Sequence, residues 1–176
     1  SETNARLIGG AITASSATAG VGVNIATVVA KDSVTAAIGD GAEGSGYTGI
    51  SVVKGKLDVS RVTTMESMFD YCGALQSVDA SGWDTGKVTN MPYMFYGCQN
   101  LSELDTSSWN LSNVKSMRMS FYNCISLAEL DVSGWGVDRV EDMNQVFCQC
   151  SSLTALDTAD WNTGSVVDMG YMFYQC

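Results

Sequence analysis

A strict repeat of 26 residues occupies residues 47–176 and constrains the fold of this chain more than any other feature. Five residue types keep this interval without a single insertion. The columns are Trp83, Trp109, Trp135 and Trp161; Phe69, Phe95, Phe121, Phe147 and Phe173; Cys72, Cys98, Cys124, Cys150 and Cys176; Val62, Val88, Val114, Val140 and Val166; and Met65, Met91, Met117, Met143 and Met169. A fixed period of roughly 20 to 50 residues is typical of a solenoid or propeller, because each unit packs on its neighbours. We therefore expect a stack of about five units that continues beyond residue 176.

One part of each unit has the pattern of a β-strand. In the segment 75–81, Val78 and Ala80 alternate with polar residues, and alternate residues of a strand point to opposite faces. Gly82 follows and permits a turn. The pattern therefore predicts one strand in each unit, and stacked units would form a parallel sheet.

A second part of each unit predicts a short helix. Apolar residues recur at intervals of three, three and one from Val88 to Phe95, which is helical spacing. Gly97 and Asn123 stand where a left-handed residue would end such a helix. The residue before each repeated Met is an N-cap former: Thr64, Asn90, Ser116, Asp142 and Asp168. The expected fold class is therefore an α/β repeat solenoid of strand plus short-helix units, with leucine-rich-repeat architecture.

The repeat also carries a family resemblance. The pattern M-x-x-M-F-x-x-C-x-x-L-x-x-L-D-x-S-x-W, complete in residues 91–109, resembles the BspA-like leucine-rich repeats of bacterial surface proteins. The resemblance covers residues 57–176, with mild departures at Ser120, Val146 and Ala159. It implies a secreted or cell-wall-linked bacterial protein, often an adhesin, and it supplies no catalytic residues.

The first part of the chain follows different rules. Residues 1–46 contain no aromatic residue, Cys or Met, so we predict a boundary near residue 48. Alternation of apolar residues over 21–29 predicts a strand. The stretch 34–41 resembles a coil of the β-helical stalks in large filamentous adhesins. We therefore predict a Gly/Ala/Ser/Thr-rich β-solenoid stalk over 1–48 and the leucine-rich-repeat array over 49–176, with a linker or a cap for the first repeat as alternatives for 1–48.

Charge and composition exclude several functions. The chain has 9 basic and 19 acidic residues and no His, for a net charge of −10. Such a chain is a poor partner for nucleic acid or an anionic membrane surface. Residues 9–30 are only mildly apolar and mostly small, so we expect no membrane insertion. Without a nucleophile–base pair or a phosphate loop, we expect no enzymatic activity and no cofactor.

A column of aspartates is the first candidate site. Asp79, Asp105, Asp131 and Asp157 would lie about 4.8 Å apart if the strands are in register. Like charges at that distance repel, so something must offset them. One interpretation is a strip of calcium ligands. The other, which we favour because no calcium-loop motif is present, is that each Asp caps its own D-x-S turn.

The cysteines form a second candidate column. One Cys in each unit differs from the C-x2-C pairs of metal sites and predicts buried apolar side chains, although a disulfide between neighbouring coils is an alternative. Cys148 lies outside this column and is the candidate for a free or crosslinking thiol. The Met, Phe and Trp columns are expected in the core, with a peptide-docking or carbohydrate-binding surface as the alternative.

These observations predict a non-enzymatic bacterial adhesin or extracellular scaffold at the cell surface, with a protein or host-surface ligand as its partner. One alternative is a subunit of a head-to-tail filament, formed by self-association of solenoid ends. Another is a receptor module that uses its acidic sheet face to bind calcium or a cationic ligand.

Overall fold

The computed structural model describes residues 52–53 and 59–176. Its strands are β1 (Val52–Val53), β2 (Ser77–Val78) and β3 (Glu103–Leu104). They form one parallel sheet in the order β1-β2-β3, and Ser77 pairs with Glu103, one repeat later in the chain. Each repeat is therefore one coil that lies on the next. The strand expected over 75–81 is reduced to two residues.

The most regular pairing lies where the helix was expected. We call residues 65–72 and their equivalents the turn segment. Its Met65 N–H donates to the carbonyl of Asn90 in the next coil at 2.9 Å. The Met68 N–H instead donates to the Met65 carbonyl of its own coil at 3.3 Å. Through this segment every second N–H reaches the next coil, and most of those between bond to the carbonyl three residues back or to the side chain that precedes the segment. The equivalents are residues 91–98, 117–124, 143–150 and 169–176.

The predicted α/β solenoid of strand plus short-helix units is wrong, because the described residues contain no helix. The Phe rings of consecutive turn segments lie only 5.0 to 5.6 Å apart. Packed helices need about 8–10 Å between their axes, so helices cannot stack at this spacing. The left-handed residues expected at Gly97 and Asn123 are present, with φ of 71° and 59°. They belong to a run of consecutive turns and do not end a helix.

Side chains that begin each turn segment do cap backbone donors. The Asp142 carboxylate accepts from the Asn144 N–H at 2.9 Å, and the Ser116 hydroxyl accepts from the Arg118 N–H at 3.3 Å. Asn90 is the exception. The residue two positions after it is Pro92, which has no backbone N–H to donate. The prediction that these side chains cap backbone N–H groups is therefore confirmed, but they cap turns and not helices.

The core consists of the repeated apolar columns, as expected. Consecutive Trp rings stack 5.9 to 6.1 Å apart, and Trp83, Trp109 and Trp135 are buried. The Phe and Met columns are also buried, except in the coil 163–176, where Met169 and Phe173 are 44% and 50% exposed. Stacked aromatic pairs gain about 0.5–1.5 kcal/mol beyond their buried area, so these columns hold adjacent coils in register.

The predicted stalk over residues 1–48 lies outside the described residues. In the part of the chain that the structure describes, no helix has the length and apolarity needed to cross a bilayer.

Candidate functional site

Two columns of side chains outside the main core run along the stacked coils, and the first contains the exposed aspartates. One oxygen of Asp105 accepts from the Ser107 N–H at 3.0 Å and from the Ser107 hydroxyl at 2.6 Å. Asp79 and Asp131 make the same pair of bonds with the serine two residues later. These bonds hold the pKa of Asp105 below its ordinary value, the Ser107 hydroxyl having the largest effect. The D-x-S turn caps expected from the sequence are therefore present.

The geometry of the aspartate column supports the turn caps without testing calcium binding. Asp157 has Ala159 where the other units have a serine, so its carboxylate accepts only the Ala159 backbone N–H, at 3.1 Å. Within residues 59–176 no group of three or more acidic, Cys or His side chains is arranged to hold a metal ion. Each carboxylate still has a second oxygen facing solvent. Calcium binding at Asp79, Asp105, Asp131 and Asp157 stays a prediction.

The second column follows the buried Phe column, is largely tyrosine and is only partly exposed. Its five positions are Asp70, Tyr96, Tyr122, Cys148 and Tyr174. The rings of Tyr96 and Tyr122 stack at 4.8 Å with only 7° between their planes. The residue after each Phe is partly exposed in three coils, exposed at Tyr174 and buried at Cys148. We call this second column the tyrosine column.

Cys148 interrupts the tyrosine column and opens a slot. A cavity of about 200 Å³ lies here, and we call it the slot. Its lining residues are Tyr122, Gln145, Cys148, Gln149, Tyr171 and Tyr174. Tyr171 and Tyr174 meet edge to face at 5.8 Å. The slot combines aromatic faces with amide groups, and its lining carries no Lys, Arg, Asp or Glu.

The sequence predicts Cys148 as the candidate for a free or crosslinking thiol. It is a free cysteine with only 3% of its surface exposed. Burial, with a smaller effect from the nearby Cys176, raises the pKa of its thiol. Because the thiolate is the reactive form, this environment makes Cys148 a weak nucleophile at neutral pH. A crosslinking role for Cys148 stays a prediction.

Asp70 is a second interruption of the tyrosine column, and the sequence analysis missed it. Desolvation raises the pKa of its carboxyl to about 6, partly offset by a bond from the Tyr71 backbone. Its Oδ1 is buried and has no hydrogen-bond partner. The signal was available in the sequence, since Asp70 is the one acidic residue in the column.

The repeated cysteines are buried in the core, as predicted, with the exception of Cys176, which is exposed. The Cys98 thiol donates to the Phe69 carbonyl at 3.0 Å, and Cys124 and Cys150 donate to the equivalent carbonyls. All six cysteines are free. Burial raises the pKa of Cys150 to about 12, so this thiol stays protonated. The column therefore fills the space between Phe carbonyls and carries no metal-binding geometry.

Comparison with known proteins connects this repeat to one family. A family model described as a Mycoplasma protein of unknown function, DUF285, matches residues 50–129 and again residues 102–176. The second match begins 52 residues after the first, which is two repeats of 26 residues. Comparisons with the curated proteins and with the solved structures found no match. The narrower resemblance to BspA-like repeats stays a prediction. Because the two matches together cover residues 50–176, the chain belongs to the DUF285 family.

Proposed function

We propose that this chain is a non-enzymatic module of a bacterial cell surface that acts as an adhesin or an extracellular scaffold. The observation that carries the proposal is the stacking of coils one repeat apart, shown by the parallel bridges from Thr64 through Asp168. Stacking turns each exposed position of the repeat into a column along the molecule. Long lateral surfaces of this kind are what repeat proteins use to bind partners.

The composition of the exposed columns supports a binding role. The apolar columns are used in packing, whereas Tyr96 and Tyr122 of the tyrosine column keep part of their surface exposed. Tyrosine is enriched at protein interfaces because it offers a large rigid ring with a polar end. Membership of a family described from Mycoplasma supports a bacterial source, and the resemblance to BspA-like repeats supports the cell surface.

Two measurements test this proposal together. Protease added to intact cells that carry the protein should remove it, because a surface module is accessible from outside. Beads coated with the purified chain should be retained on cultured epithelial cells. The matched control is the double variant Phe95→Ala with Phe121→Ala, which keeps the charge but disrupts the stack. Protection from protease, or equal retention of both kinds of bead, would contradict the proposal.

End-to-end association of this chain is a second candidate. Coils of equal shape bond to one another through the turn segment, for example by the Met117 N–H, which donates to the Asp142 carbonyl. The same backbone bonds can join the coils of two chains, as exposed strand edges do. Light scattering over a range of concentrations should show growing assemblies, and a constant monomer mass would exclude this candidate.

A further inference from the structure

The slot at Cys148 has a shape that no other position of the tyrosine column shares. Tyr96 and Tyr122 lie face to face at 4.8 Å, so no group can enter between them. Cys148 replaces the next ring with a small side chain, and Tyr174 restores a ring one coil later. The cavity that results is open to solvent between Tyr122 and Tyr174.

The width of the slot fits one ring. Two steps of the stack separate Tyr122 from Tyr174, and each step is about 4.8 Å, as for neighbouring strands. A ring placed midway would lie about 5 Å from each tyrosine, within the range of roughly 4.5 to 7 Å for stacked rings. The cavity of about 200 Å³ is smaller than the pockets of roughly 300–1,000 Å³ that hold drug-sized ligands. The slot therefore takes a single ring of a longer ligand.

The amide oxygens in the slot can accept hydrogen bonds from ligand hydroxyls. The Gln145 Nε2 donates to Asn144 Oδ1 at 3.0 Å, and the Gln149 Nε2 donates to Gln175 Oε1 at 3.2 Å. These bonds orient both amides, while the Oε1 atoms of Gln145 and Gln149 accept no hydrogen bond from the described residues. Each Oε1 can accept from a ligand hydroxyl.

We propose that the slot binds one neutral pyranose ring of a glycan, with its C–H faces against Tyr122 and Tyr174 and its hydroxyl edge at Gln145 and Gln149. A pyranose has two weakly polar faces and a rim of hydroxyls, which matches two aromatic walls and two free amide oxygens. An aromatic side chain could stack against both tyrosine rings, but it would offer few hydrogen-bond donors to the two glutamine Oε1 atoms. A charged sugar would find no opposite charge in the lining. This inference names a ligand class for the surface module and rests on the proposed function for its biological role.

Cys148 acts in this proposal by its size alone. Its thiol is buried and protonated, so it sets the depth of the slot and makes no bond to the ligand. The variant Cys148→Tyr would continue the column with the residue found at the equivalent positions 96, 122 and 174. The fold already accommodates tyrosine at those positions, so this variant fills the slot with the least disturbance.

The test measures binding of the methyl glycosides of glucose, galactose, mannose and N-acetylglucosamine to the full chain by saturation-transfer NMR. We expect at least one of them to bind, Cys148→Tyr to weaken that binding by about tenfold or more, and Cys148→Ala to retain it. Tyr174→Ala removes one wall and should weaken binding in the same way, which guards against misfolding of the first variant. Tyr71→Ala, outside the slot lining, is the matched control and should bind as the parent does.

Three outcomes would overturn the proposal: binding of none of the four glycosides, unchanged binding by Cys148→Tyr with an unchanged melting temperature, or preferential binding of p-cresol, which mimics a tyrosine side chain. The bead assay separates this failure from failure of the proposed function. Beads coated with Cys148→Tyr that still adhere, while glycoside binding is lost, would retain the adhesin and exclude the slot as its site.

Discussion

The two sides of each coil are held together differently. Immediately before each turn segment, parallel bridges run without interruption from Thr64 to Asp168 through five coils, and the backbone bonds of the turn segment continue this pairing. On the other side, which we call the strand segment (residues 77–83 and their equivalents), the paired strands end at Glu103–Leu104. Beyond it side chains join the coils, as where the Thr106 hydroxyl donates to the Asp131 carbonyl. The turn segment therefore provides the backbone ladder between coils, and the strand segment joins coils mainly through side chains.

This difference explains why the chain can stack without regular secondary structure. Along the turn segment, N–H groups donate alternately to the next coil and to their own coil. Nearly every backbone donor therefore has an acceptor. The same alternation places one Phe per coil in a continuous buried stack. Stability should accordingly depend more on the turn segment than on the strand segment.

The largest expected effect is loss of a ring from the buried stack. Phe121 is fully buried and stacks on Phe95 and Phe147 at 5.5 and 5.6 Å. The substitution Phe121→Ala should lower the free energy of unfolding by about 3–5 kcal/mol, because it removes both contacts and leaves a cavity. In the strand segment Leu130→Ala should cost about 2 kcal/mol, the low end for such a change, since Leu130 is 7% exposed. Urea unfolding measures both, and equal losses would refute the ordering.

The repeat period predicted the contents of these stacks but not the backbone that carries them. Columns such as Trp109 with Trp135 were expected in the core because a strict period brings equal positions together. The spacing from Val88 to Phe95 is common to a helix and to consecutive turns, so it could not tell them apart. The deciding bonds join residues about 25 apart, such as Met91 N–H to the Ser116 carbonyl. Local spacing contains no information about them.

The candidate site was predictable to a similar extent. Cys148 was selected because it lies outside the cysteine column, but its predicted role was that of a thiol. The slot depends on Tyr122 and Tyr174 lying on the same side, one coil to either side of Cys148. The repeat of 26 residues alone places these three positions in one column. Whether that column reaches the surface depends on the backbone of the turn segment, which the helix prediction had wrong.

Glycine substitutions compare the two segments through a smaller change in the free energy of unfolding. Gly97 in the turn segment has φ of 71°, and an added Cβ would lie 3.1 Å from Cδ1 of Tyr71. Gly97→Ala should therefore cost about 1–2 kcal/mol for the left-handed conformation alone. The matched control is Gly134→Ala in the strand segment, where the Cβ would lie 3.7 Å from the Ser107 carbonyl oxygen, an ordinary contact. Its effect should stay within about 0.5 kcal/mol, and a larger loss at Gly134 would reverse the ordering.

The turn segment also contains a residue that should weaken it. Half-buried Asp70 has its pKa raised to about 6 from 3.8, so the folded state holds its proton more tightly than the unfolded state does. Its contribution is fully present below about pH 4 and is lost as the pH rises through 6. Asp70→Asn should raise stability at pH 7 by about 1–2 kcal/mol, a figure reduced for partial solvent screening. Thermal melts at pH 4 and pH 7 check this, and an equal gain at both values would contradict it.

The smallest effect concerns the strand segment and its aspartates. Asp105→Asn weakens the two bonds from Ser107 and should cost about 0.5–1 kcal/mol at pH 7. Because these bonds lower the pKa of Asp105, its contribution is present above the unfolded value of 3.8 and is lost as the pH falls through the lower folded value. The difference between parent and variant should therefore shrink at the acid end of a series of melts.

The same pair of proteins distinguishes turn caps from a calcium strip. If the column only caps corners, the melting midpoint of the parent should be the same in millimolar calcium and in chelator, because a ligand stabilises the fold only by binding it. A midpoint that rises with calcium in the parent, and rises less in Asp105→Asn, would show that neighbouring carboxylates share a cation. The strand segment would then join its coils through an ion in addition to its side-chain contacts, and the contrast with the turn segment would be weaker in the presence of calcium.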